Sequence, residues 1–199
     1  MGPTSDGHIS NVYFNSFNVK KAMLKQKNKS SSGPNGLPLI LFKESAQTLS
    51  QPLASLFTIV FNSGAISKIW KSATVIPLFK KGKTCFAENC RPISLTCVIC
   101  KIFESIIKDE LLYYFNTNNL LHDFQHGFLA GASTSTNLIS CLNDWTLSLK
   151  NKHSTRVIYI DFARAFDSVS HPKLMYKLMQ LGVSGKLLDI LRSFLSNRS

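Results

Sequence analysis

Three stretches repeat apolar residues at helical spacing. Leu53, Leu56, Phe57, Val60 and Phe61 follow i, i+3, i+4, i+7 and i+8, which predicts one apolar face of a helix that Gly64 ends. Ile99, Ile102, Phe103, Ile106 and Tyr114 predict a second helix, and Leu138, Cys141, Leu142, Trp145 and Leu149 a third. All three stripes read as core rather than cofactor surfaces. Phe17–Gln26 predicts a shorter helix. Pro172 stands where it would begin another, continued by Leu174, Met175, Leu178 and Leu181. Ser184 reads as the cap of a last helix carrying Leu187, Leu188, Leu191 and Leu195.

Between these lie two-residue periods. Residues 74–79 predict a strand entering the basic turn Lys80-Lys81-Gly82-Lys83, and Arg91–Leu95 a returning strand, with Pro92 suited to a strand edge or start. Residues 156–162 predict another strand, with Ile158, Ile160 and Phe162 on one face and Val157, Tyr159 and Asp161 on the other. Residues 1–15 read as a loose polar leader. Lys27–Ser32 is a polar, basic run that reads as a flexible joint, and Gly33-Pro34-Asn35-Gly36 as a turn. No internal repeat is found.

Composition narrows the partners. The 199 residues hold 23 Lys and Arg against 11 Asp and Glu, a formal charge of +12, and 14 Phe. That charge favours a polyanion, nucleic acid before an anionic membrane. No apolar run is long enough to span a bilayer, and the start of the chain is not signal-like, so no membrane partner is expected. Cys85, Cys90, Cys97, Cys100 and Cys141 do not resemble a secreted disulfide framework. They predict an intracellular chain, nucleus or cytoplasm left open. Cys97 and Cys100 read as small core residues, with zinc or redox use the weaker alternative.

Candidate chemistry gathers at Asp161, the acid near the end of the third strand-like run. A carboxylate fixed there is a hard oxygen ligand suited to Mg²⁺, or equally a cap on the following turn. Phe166 is either a core ring or a ring beside a bound sugar, and Asp167 reads as a turn or cap residue. Lys80, Lys81 and Lys83 form a positive tip to which Arg91 adds a forked phosphate donor, unless they are plain solvated surface. No phosphate-cradling Gly-x-x-x-x-Gly-Lys-Ser/Thr loop is present.

Taken in order, "GPNG", "WKSATVIPLFKKG", "NCRPISLTCVICKIFE", "QHGFLAGAST" and "VIYIDFARAFDSVSH" resemble the reverse transcriptases of non-LTR, jockey-like retrotransposons from about residue 17 onward. "GPNG" alone is weak, whereas "RPISLT" with "KIFE" and "YIDFARAFDSV" is specific as a set. The resemblance implies an α+β right-hand polymerase fold. Residues 1–16 would be a leader, 17–154 mostly helical fingers, and 155–199 the first palm strand and following helices of an incomplete palm. It implies RNA-directed DNA polymerase chemistry, in which a primer 3′-OH attacks the α-phosphate of a dNTP held by two Mg²⁺. RNA template, DNA primer and dNTP are the implied partners.

By that resemblance Asp161 is the first catalytic metal ligand, helped by the carbonyl of Phe162. Phe166 screens the 2′ position of the nucleotide, and Lys80 or Lys81 with Arg91 grips the triphosphate. Gln125, Gly127 and Phe128 lie near the template. Asn35 stands where the family usually has Asp, Cys90 where it has Tyr, Ala163 where it has Ser, and Leu129 and Ala132 where it has arginines. The last two predict weaker template contacts and read as marks of an inactive copy. The family's aromatic-Ala-Asp-Asp motif is missing, with no Asp-Asp pair in the 199 residues. A fragment that does not polymerise by itself is therefore expected. The alternative is a non-enzymatic nucleic-acid-binding remnant or co-opted fragment. A small helical module for an acidic partner is a third reading.

Overall fold

The computed structural model describes residues 7–26, 32–83, 86, 89–162 and 165–198. Residues 1–6 of the expected leader, most of the 27–32 run, Cys85 and Ala163 lie outside them. Eight helices and one antiparallel strand pair occur among the described residues. In chain order they are α1 (Ser16–Lys25), α2 (Leu39–Glu44), α3 (Ala46–Ser63), α4 (Lys68–Lys71), β1 (Ala73–Phe79), β2 (Cys90–Thr96), α5 (Val98–Thr117), α6 (Thr134–Lys150), α7 (His171–Gln180) and α8 (Gly185–Leu195). Among the described residues no helix is long and apolar enough to cross a membrane.

Local chemistry accounts for several boundaries. Asn15 caps α1: its side chain accepts from Asn18 N at 2.8 Å, while Asn18 Oδ1 accepts from Asn15 N at 3.0 Å. Val19, Ala22 and Met23 then fall on one buried face. Gly64 ends α3 at φ 66, a left-handed conformation that glycine adopts without a Cβ penalty. The Gly33–Gly36 turn closes by a bond from Gly36 N to Gly33 O of 2.9 Å. A Cβ on Gly33 would collide with the backbone of Thr96 and Cys97, so this turn seats directly against the start of α5.

α1 packs on α3 and α5, and the core between them is aromatic. Phe14 stacks on Phe103 with centroids 5.2 Å apart and meets Phe57 and Phe61 edge-on. Trp70 lies against Phe57 and Phe103. Cys97 and Cys100 are buried in this framework, as expected of small core residues. The Cys100 thiol donates to Glu104 Oε1 at 3.1 Å. Burial pushes its pKa well up, and the neighbouring Glu104 adds to that. Burial also raises Glu104, partly offset by the thiol bond and by Arg198.

Three expectations need correction. Residues 7–15 are not a loose leader. Val12 is buried, Phe14 enters the aromatic cluster, and Ile9 pairs in parallel with Val183. Ile9 N donates to Gly182 O and Ser184 N to Ile9 O, each at 2.9 Å, so Ser184 receives this segment rather than capping α8 with its side chain. The Tyr114 hydroxyl lies 2.7 Å from Gly7 O and 3.0 Å from Leu181 O. Few apolar residues in a polar stretch suffice when each is placed in the core.

The second correction concerns residues 156–162, which form no strand. A strand requires a ladder, and β1 and β2 are paired with each other. Both faces of the run are exposed, Ile158 at 83% and Tyr159 at 86%. The third concerns α6. The helix forms, with Ser133 and Thr136 as a capping box, but none of its residues is buried. Its apolar stripe is right and its burial is not, because spacing specifies a face but not a partner to cover it.

Candidate functional site

The basic tip sits on a regular hairpin. β1 and β2 pair from Ala73↔Thr96 to Phe79↔Cys90, with Leu78 opposite Arg91. The ladder runs one step further through a bond from Lys80 N to Asn89 O of 2.8 Å. Directly opposed residues share a face and successive residues alternate, so continuing the pleat by this one step puts Lys80 on the face of Leu78 and Arg91, while Lys81 lies in the bend beyond the ladder. Gly82 makes the tip at φ 89, and Asn89 Nδ2 donates to Lys83 O at 2.8 Å across it. Lys80, Lys81, Lys83 and Arg91 are all exposed.

The loop before α6 is held by its own side chains. Gln125 Nε2 donates to Gly127 O at 2.9 Å. His126 Nδ1 lies 2.9 Å from Thr136 Oγ1, the hydroxyl that also accepts from Ser133 N in the α6 cap. The loop is thereby tied to the helix N-terminus. Phe128 leaves it at φ 65, unusual for a residue with a side chain. Its ring meets Phe166 edge-on, centroids 5.8 Å apart and planes at 84°. Two residues expected near template and nucleotide respectively are thus brought together over 38 positions of sequence. Nothing in single-residue spacing signals that contact.

Asp161 and Phe162 are exposed on the unpaired run. Among the described residues Asp161 forms no salt bridge, and no three His, Cys, Asp or Glu side chains gather where an ion could be held. One exposed carboxylate and one carbonyl do not make a Mg²⁺ pair site, so the donor set described here does not fit the two ions that the resemblance implies.

The sequence pattern of the reverse transcriptase (RNA-dependent DNA polymerase) family matches residues 79–199, more than half of the chain and including the hairpin tip, the loop and Asp161. The chain belongs to this reverse transcriptase family. It is similar to the RNA-directed DNA polymerase from mobile element jockey of Drosophila melanogaster, 34% identical over 150 residues, which are 75% of this chain and 16% of that protein. The jockey polymerase of Drosophila funebris is 28% identical over 185 residues, 90% of this chain and 20% of its own length. A probable RNA-directed DNA polymerase from transposon X-element is 25% identical over 187 residues, again 20% of its length. The chain therefore spans about a fifth or less of these reverse transcriptase relatives. Its mixed helical fold with a small sheet agrees with part of such a polymerase.

Proposed function

We propose that this chain is the fingers and the beginning of the palm of an RNA-directed DNA polymerase of the non-LTR type, with residues 17–154 in the fingers and 155–199 in the palm. Its substrates in the complete protein are an RNA template, a DNA primer and a dNTP. The observation that carries the reading is the hairpin, whose register sets Lys80 and Arg91 on one exposed face, a phosphate-binding pair at a point where the family match has begun. In this reading Lys80 rather than Lys81 works with Arg91 on the triphosphate. Phe166 screens the sugar, Gln125, Gly127 and Phe128 border the template, and Asp161 with the Phe162 carbonyl belongs to the metal-binding set. The chain spans about a fifth or less of its relatives, and in this reading it is a fragment that polymerises only with the rest of the protein.

Titration with dATP tests the assignment. Lys80→Ala and Arg91→Ala are each expected to weaken binding about tenfold, the worth of a charged hydrogen bond, and Lys81→Ala much less. Equal losses at Lys80 and Lys81 would remove the register argument. The formal charge of +12 favours a second reading, a nucleic-acid-binding fragment without catalysis. It predicts salt-sensitive binding of an RNA–DNA hybrid that is indifferent to added dNTP.

A further inference from the structure

Phe128 combines two features that need a joint explanation. Its backbone is in the left-handed region at φ 65, which is strained for a residue with a Cβ. Its ring is 87% exposed, so burial of apolar surface does not offset that strain. What the conformation does achieve is the edge-on contact with Phe166, itself 79% exposed. Strain kept at an exposed position for the sake of one contact points to a use for that contact.

The contact has a fixed side and a free side. Phe128 issues from a loop anchored to α6 through His126 and Thr136 and braced by Gln125. Phe166 lies in the turn that follows the exposed 156–162 run, with no helix or strand of its own. The edge of one ring against the face of the other is the favoured aromatic geometry and restricts both torsions of the partner. Phe128 is therefore the support and Phe166 the supported ring.

We infer that Phe128 is a positioning residue that holds the ring of Phe166, so that discrimination at the 2′ position of the bound nucleotide depends on the loop preceding α6. This rests on the reading of Phe166 given under Proposed function. It also joins two roles that the primary structure keeps apart, since the loop bordering the template would then help to set the space allowed for the incoming sugar. A loop displaced by a poorly seated template would release Phe166 and relax sugar selection.

The test uses the 199-residue chain with ¹³C-labelled phenylalanine and two ligands that differ only at the 2′ position, dATP and ATP. A ring-to-ring nuclear Overhauser effect between Phe128 and Phe166 is expected. Phe128→Leu and Phe166→Ala are each expected to reduce the dATP-to-ATP affinity ratio by about twofold to tenfold. Phe128→Gly, which relieves the backbone strain and removes the ring, should reduce the ratio equally and so separates ring from strain. A merely structural role would lower both affinities alike and leave the ratio unchanged. If Phe166→Ala changes the ratio and neither Phe128 variant does, or if the rings show no Overhauser contact, the inference is overturned and the reading of Phe166 stands. If the unaltered chain shows no preference, or Phe166→Ala leaves the preference intact, that reading fails and the inference with it.

Discussion

α5 and α6 are near equals by sequence, 20 and 17 residues long, each with an apolar stripe at helical spacing. α5 buries seven residues, among them Ile102, Phe103 and Ile106, whereas α6 buries none. The difference extends to their neighbourhoods. α5 is embraced by α1, the docked 7–15 segment and the aromatic cluster; α6 is followed by the exposed 156–162 run. Most of the assigned chemistry lies on the sparsely packed side, in the loop before α6, at Asp161 and at Phe166. Most of the proposed site residues therefore lie away from the core, and substitutions should separate stability from the proposed binding.

The largest effect is expected at Phe103, which touches Phe14, Phe57 and Trp70. Phe103→Ala should cost about 3–5 kcal/mol in urea unfolding, because the surrounding rings cannot close the void. Tyr114→Phe comes next. Two carbonyls share its hydroxyl, so its loss should cost about 1–3 kcal/mol. At Glu104 the sign is the sharper prediction. Its pKa is raised in the folded chain, so its contribution to stability is fully present below the ordinary carboxylate range and is lost as pH rises through the folded value. Glu104→Gln should remove that decline, and thermal melts from pH 4 upward should show the variant gaining on the parent. The smallest effect belongs to α6, where Leu142→Ala should change stability by no more than about 0.5 kcal/mol. A loss there as large as at Phe103 would show that α6 has a covered face and would erase the contrast.

Local pattern sufficed for the elements whose cause is local. The helix around Leu53–Phe61, its stop at Gly64, the strands either side of the lysines and Pro172 in the first turn of α7 all follow from side-chain period, glycine and proline. The candidate residues were legible for another reason, the resemblance carried by the quoted strings. What sequence did not reveal depended on distant partners. Phe14 looks unremarkable in a polar stretch until α3 and α5 supply the rings it packs against. The 156–162 run has strand composition but no ladder beside it. The Leu138–Leu149 stripe has helix spacing but no covering surface. That Lys80 continues the ladder while Lys81 lies in the bend depends on the pairing with the returning strand.

The docking of residues 7–15 also orders events in time. Ile9 is joined to Gly182 and Ser184, so this segment must wait for about 175 further residues before its partners exist. At about 5–20 residues per second that interval is roughly ten to thirty-five seconds on the ribosome. Through it Val12 and Phe14 have α1, α3 and later α5 to shelter against, but the backbone of Ile9 has no bridge to enter. Residues 7–15 are thus locked only after α7 and the turn that follows it have been made.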